Sequence, residues 1–280
     1  MNIQSAITEG TRILKNEYIS TAQIDSEIIM MKVIGKDKKY IILNNYEDLG
    51  LEKLNNFKKL IKERSHRKPI AYLLGKKSFW KYEFLVSEDT LIPRPDTELI
   101  IETILKITKI RNKISVLDIG IGSGCILLSI LKERKNFIGT GIDISKKCLN
   151  ISKINANKLN VNNRIKLYKS DVDKFALGKY DLIVSNPPYI NKLDLKYLER
   201  DVVRFEPKLA LDGGLDGLSE IRKVIKKSSE LIKKNGKFIL EIGFNQKNKV
   251  INLLKEKGFY INSTLKDFAN NDRCIVSTKI

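Results

Sequence analysis

Histidine is almost missing from this 280-residue chain, where His66 stands alone. That excludes a serine–histidine–acid triad and any multi-histidine metal centre. Cysteine is scarce as well: Cys125, Cys148 and Cys274 are far apart, odd in number and in no C-x-x-C spacing. The pattern argues for a reducing compartment and against a structural zinc site or a disulfide framework. No stretch approaches the roughly 18 apolar residues that span a bilayer, and residues 1–10 show neither a basic n-region nor an apolar h-region. A soluble, cytoplasmic protein without membrane attachment is expected. Acidic residues are the minority charge, 33 Asp+Glu against 52 Lys+Arg, for a net charge of +19.

What is present is the composition of a globular protein, with 42% hydrophobic and 30% charged residues. The basic excess has two readings. Clustered Lys and Arg attract phosphates, but here Lys is spread through a chain rich in Ile, Lys and Asn, as a solvated surface is. Only 32–39 and 58–68 are dense.

Apolar residues recur at helical spacing over 3–62, for example Ile24, Ile28, Met31 and Leu54, Phe57, Leu60, Ile61, so 1–68 reads as a small all-helical N-terminal domain. Aromatic and β-branched residues in 69–92 favour a β-hairpin connector. Pro93 and Pro95 end it, and Asp96 or Thr97 is placed to cap a helix from Glu98. Beyond Ser115, strands alternate with helices (strand 116–119, helix 125–131, strand 137–142, helix 146–159, strands 164–168 and 180–184, helix 218–233, strand 237–242). This is an α/β pattern: a mostly parallel sheet, helices on both faces, ligands at the carboxyl ends of the strands. The domain is taken as 93–280.

Two loops after strands carry the chemistry. In Asp118-Ile119-Gly120-Ile121-Gly122-Ser123-Gly124 the glycines permit a tight turn and close approach of a ligand to backbone and helix N-terminus, although such a loop can also be a packing turn. No Gly-Lys-Ser/Thr follows, so it is no phosphate-binding P-loop, and G-x-G-x-G after an acidic strand end fits S-adenosylmethionine better than NAD. Asp143, about 20 residues on, is placed to accept from both ribose hydroxyls or to cap the next helix. Asp171 can receive an adenine amino group, with Val172 as part of the apolar wall.

The second loop is Ser185-Asn186-Pro187-Pro188-Tyr189. Two prolines fix the directions of the Asn186 amide and the Pro187 carbonyl. An amide nitrogen is a weak nucleophile because its lone pair is delocalised. Accepting both its N–H bonds, through Asn186 Oδ1 and the Pro187 carbonyl, helps it pyramidalise and aligns it with a methyl sulfonium, while Tyr189 stacks on the flat group. Orientation supplies the rate with neither metal nor histidine.

These loops resemble those of class I S-adenosylmethionine-dependent N-methyltransferases with an N-P-P-Y loop. Pro69 to Gly75, Phe79-Trp80, the string Ile92-Pro93-Arg94-Pro95-Asp96-Thr97-Glu98 and Phe205-Glu206-Pro207-Lys208-Leu209-Ala210-Leu211 more specifically resemble the release factor glutamine methyltransferase (PrmC/HemK) family, over the whole chain. The resemblance implies a Rossmann-like class I methyltransferase domain closed by an antiparallel hairpin near 267–273. It further implies methyl transfer from S-adenosylmethionine to the glutamine amide in the Gly-Gly-Gln tip of class 1 peptide chain release factors, held by the N-terminal domain and hairpin. By position, Gly120, Ile121, Gly122, Ser123, Gly124, Asp143, Val172 and Asn186 contact the cofactor, beside Asp171 as read above, and Asn186, Pro187, Pro188 and Tyr189 the glutamine. A monomer with no metal and no nucleic-acid substrate is expected. The shared N-P-P-Y loop leaves two alternatives: a DNA or RNA amino methyltransferase, and a non-catalytic S-adenosylmethionine-binding module.

Overall fold

The computed structural model describes residues 1–109 and 113–280. They form two compact units, 1–76 with 199–205, and 77–198 with 206–280.

The first unit is helical: α1 (Ile3–Asn16), α2 (Ala22–Ile34), α3 (Lys38–Leu43), α4 (Gly50–Ser65), α5 (Ile70–Leu74) and the short helix Arg200–Phe205. Ile7, Leu14, Ile29, Met30, Phe57 and Ile61 form its core. Side chains of α2 and α4 press onto the α1 backbone at Gly10, where a Cβ would lie 2.7 Å from Ser26 Oγ and 2.9 Å from Phe57 Cζ. Arg64, buried on α4, donates to Asp25 (2.7 Å) and to Asp201 (2.6 Å). Two carboxylates on one guanidinium satisfy a charge that burial would otherwise penalise by several kcal/mol.

The second unit opens with a two-stranded sheet, β1 (Lys76–Phe79) and β2 (Tyr82–Leu85), turned at Trp80 with φ 56°. After α6 (Glu98–Ile107) come β3 (Ser115–Ile119), α7 (Cys125–Glu133), β4 (Ile138–Asp143), α8 (Lys146–Lys158), β5 (Ile165–Lys169) and β6 (Tyr180–Ser185). Helices Ser219–Leu231 and Lys247–Glu256 flank β7 (Ile232–Glu241), and β8 (Phe259–Lys266) and β9 (Asp272–Lys279) end the chain. The seven-stranded sheet has the order β5-β4-β3-β6-β7-β9-β8, with β7/β9 and β9/β8 antiparallel and the other pairs parallel.

Successive strand residues serve opposite faces, as period two requires. Val116, Leu182, Val184 and Ile239 pack into one core with α6 and α7, and Leu117, Ile119, Ile183, Phe238 and Leu240 into another with the two later helices. Burial on both faces is why the central strands read as unbroken apolar runs. The expected strand 237–242 begins earlier, at Ile232, because the residues around Asn235 (φ 62°) are taken up as an irregularity. Its pairing with β6 jumps from Tyr180↔Ile232 to Leu182↔Lys237. Strand order reverses between β3 and β6, so the chain parts at their carboxyl ends and leaves a crevice there.

Candidate active site

A cleft of about 370 Å³ occupies that crevice, within the roughly 300–1,000 Å³ of small-molecule sites. Gly120 and Gly122 line it, with φ of 78° and 55°, and a Cβ on either would meet nothing within 4 Å. Side chains here would fill the space a ligand uses. Gly124 serves another purpose: its φ is 84°, and a Cβ would sit 2.7 Å from Leu128 Cδ1, so it lets the turn press onto α7. Behind the loop, Ser152 Oγ donates to the Gly122 carbonyl (2.7 Å) and Asn155 Nδ2 to that of Ser123 (2.9 Å).

Asp143 closes β4 and ties two turns together, its Oδ2 accepting from Gly122 N (2.9 Å) and its Oδ1 from Ser145 N (2.8 Å). Ser145 itself caps α8. Each carboxylate oxygen keeps a second lone pair for a ligand hydroxyl. Asp171 and Val172 also line the cleft, with Asp171 Oδ1 accepting from Asp173 N (3.0 Å). Ile121 and Ser123 are buried and do not line it; Ile121 packs into the core.

The lining carries Glu88, Asp89, Asp143, Asp171 and Glu220, and among its described residues neither Lys nor Arg. In a chain of net charge +19 the lining is locally acidic, although Lys147 pairs with Asp89 (2.9 Å) and Lys223 with Glu220 (2.7 Å) from outside it. It suits a cation and repels polyphosphate. The glycine cradle, the carboxylates and the apolar wall of Val172 and Ile144 fit S-adenosylmethionine, with its sulfonium, ammonium, ribose and adenine.

Asn186, Pro187 and Pro188 line the same cleft, at the end of β6. Asn186 Nδ2 donates to Thr97 Oγ1 (3.2 Å), and Oδ1 accepts from no described residue. Thr97 Oγ1 in turn donates to Glu241 Oε2 (2.7 Å), and Tyr189 OH to Glu241 Oε1 (3.3 Å). Tyr189 is not among the lining residues; burial and Glu241 hold its phenol well above the ordinary range, so it stays a donor. Its carbonyl accepts from Gln246 Nε2 (2.9 Å), which also reaches the Gly217 carbonyl (2.9 Å).

Sequence reading missed Thr97, Glu241 and Gln246. Thr97 stands at the N-terminus of α6 but makes no side-chain cap, because its hydroxyl is drawn to Glu241 instead. The signal lay in the string 92–98 itself. The Ile92 amide (3.2 Å) and Arg94 (2.5 Å) donate to the buried Glu206, Thr97 bridges Glu241 and Asn186, and Glu98 accepts from Trp80 N (2.7 Å). Seven residues thus pin the hairpin, Glu206 and the reactive loop.

Asp118, at the end of β3, is buried and neither carboxylate oxygen has a hydrogen-bond partner among the described residues. Burial pushes it up to about 7, with Asp143 adding to the effect, and burial does the same to Glu241. In the unfolded chain both titrate near pH 4. Between the two values the folded state holds protons the unfolded state has lost, so their stabilisation is complete below the unfolded pKa and disappears as pH rises through the folded one. The melting temperature of the cofactor-free protein should therefore fall from about pH 5 to pH 8, less steeply in Asp118→Asn. Equal slopes in the two proteins would show that Asp118 is not a source of this dependence.

Comparison with known proteins shows the family. A family model described as the PrmC N-terminal domain matches residues 5–75, and one described as the methyltransferase small domain matches 95–261. The release factor glutamine methyltransferase of Clostridium botulinum is 36% identical over 282 residues, covering 100% of both chains. That of Caulobacter vibrioides is 34% identical over 280 residues, covering 100% of this chain and 97% of the relative. Among solved structures, a methyltransferase from Pyrococcus furiosus superposes with a TM-score of 0.54 at 18% identity, over 81% of this chain and 100% of its own. The ribosomal protein L11 methylase of Lactobacillus delbrueckii subsp. bulgaricus gives 0.50 at 20% identity, over 69% of this chain and 82% of its own. Fold and cleft define a class I methyltransferase whose cofactor is S-adenosylmethionine. At full-length identities of 34–36%, the chain belongs to the release factor glutamine methyltransferase family. No helix among the described residues is long and apolar enough to cross a membrane.

Proposed function

We propose that this enzyme methylates the side-chain amide nitrogen of the glutamine in the Gly-Gly-Gln motif of class 1 peptide chain release factors, as a monomer in the cytoplasm. The observation that carries the reading is Asn186, on the cleft wall, with Nδ2 committed to Thr97 and Oδ1 without a protein donor. An open acceptor on a rigid proline loop is what a planar NH₂ group requires. Bound cofactor supplies an electrophilic methyl group.

The protein's own part is placement. Asn186 Oδ1 and the Pro187 carbonyl take the two amide N–H bonds, and the nitrogen lone pair turns out of conjugation toward the cofactor side of the cleft. Gly120, Gly122, Asp143, Asp171 and Val172, which line the cleft, hold the cofactor, Ile121, Ser123 and Gly124 shape the loop behind them, and Tyr189, outside the lining, steadies the proline loop through Glu241. The helical unit contributes release-factor binding, and nucleic acid is not methylated.

The test is mass spectrometry of a release factor after incubation with enzyme and cofactor. A single added methyl on the Gly-Gly-Gln glutamine is expected. Methyl transfer to DNA or RNA with none to the release factor would overturn the reading.

A further inference from the structure

The carboxamide of Asn186 has two ends of nearly the same shape, so packing does not decide which of them meets the substrate. Chemistry makes the choice decisive: Oδ1 accepts the N–H bonds of an incoming amide, whereas Nδ2 would oppose them. We propose that Glu241, acting through Thr97, is the positioning residue that makes this choice, by a one-way relay of hydrogen bonds that leaves Asn186 Oδ1 for the substrate. The inference rests on the reading of Asn186 given above.

Each link follows from the inventory of donors. A carboxylate has no proton to give, so at 2.7 Å the single hydroxyl proton of Thr97 points at Glu241 Oε2. The Thr97 oxygen is left with lone pairs only. At 3.2 Å from it, Asn186 must present an N–H, and its carbonyl oxygen turns the other way. Tyr189 makes the matching bond to Oε1, so one buried carboxylate holds the proline loop at both ends.

The groups facing Glu241 are Asp96 and Thr97 from the segment before α6, Tyr189 from the reactive loop, Arg273 and Cys274 from β9, and Cys125 from α7. Arg273 favours the ionised carboxylate against burial, and Asp96 opposes it. Once protonated, the carboxyl can donate to Thr97, whose hydroxyl is then free to donate to Asn186 Oδ1, and the amide turns over. The relay has its direction only while Glu241 is charged.

The experiment is steady-state kinetics on a full-length release factor for wild type, Thr97→Val, Thr97→Ser, Glu241→Gln and Asn186→Ala, with cofactor Kd by calorimetry as the check on folding. Thr97→Val should lower kcat about tenfold, the rate equivalent of one neutral hydrogen bond, with cofactor Kd unchanged. Thr97→Ser, which keeps the hydroxyl, should restore it. Burial places the Glu241 carboxyl near 7, so wild-type kcat should rise with pH through about 7, and Glu241→Gln should lose that limb. Wild-type turnover in Thr97→Val beside an inactive Asn186→Ala, no rescue by Ser, or an acid limb unchanged in Glu241→Gln would each overturn the relay while sparing the reading of Asn186. Wild-type turnover in Asn186→Ala would remove both.

Discussion

Asn186→Ala is expected to lower turnover by on the order of 10²- to 10³-fold, the usual effect of deleting a preorganised polar contact made as the transition state forms. Alanine removes the acceptor and leaves the proline loop in place, because Gln246 and Tyr189 anchor it beyond the reactive side chain. Cofactor affinity should change by no more than about tenfold, one hydrogen bond's worth, since the glycine loop and Asp143 carry most of that binding. Single-turnover rates at saturating cofactor separate the two effects. Turnover close to wild type would mean that the amide nitrogen is activated elsewhere.

Gly217→Ala should damage both stability and turnover. Gly217 has φ 71°, and a Cβ would lie 2.6 Å from the Tyr189 carbonyl and 2.8 Å from Gln246 Nε2, directly on the hydrogen bond between them. The left-handed backbone costs a non-glycine residue about 1–2 kcal/mol, and forcing a methyl into a packed contact about 1–3 more. A loss of roughly 2–5 kcal/mol corresponds to about 4–20 °C in melting temperature for a unit of this size. Tyr189 must give way, and the prolines move with it, so kcat should fall as well. Gly258→Ala is the control: its φ is 74°, but its near neighbour is the end of the Lys279 side chain, which can swing aside. Calorimetry showing equal losses in the two variants would assign the whole effect to backbone strain and none to the contact with Tyr189.

Local and repetitive signals were legible in the sequence. The apolar runs of β3, β4 and β6, the helical spacing of the first unit and the two loops stand where period and turn chemistry placed them, because each is decided by neighbours a few residues away. What escaped was non-local. Thr97 and Glu241 are 144 residues apart, Ile92 and Glu206 are 114 apart, and Arg64 and Asp201 are 137 apart. Nothing in the run Phe238-Ile239-Leu240-Glu241 distinguishes a strand's last polar residue from a carboxylate that anchors an active site. Charge misleads in the same way, since a +19 chain gathers five carboxylates around one cleft only after folding.

The string 92–98 has a consequence for how such a chain can vary. Its contacts reach Glu206, Glu241, Asn186 and the Trp80 amide, so these distant positions share a single bracket. A change at one alters the setting in which the others are tested, and their effects are not independent. Substitutions at these sites are expected to couple, so that a replacement tolerated in one background should be harmful in another although it never approaches the substrate. The frame around Asn186 is thus expected to restrict heritable change in this enzyme, alongside the amide itself.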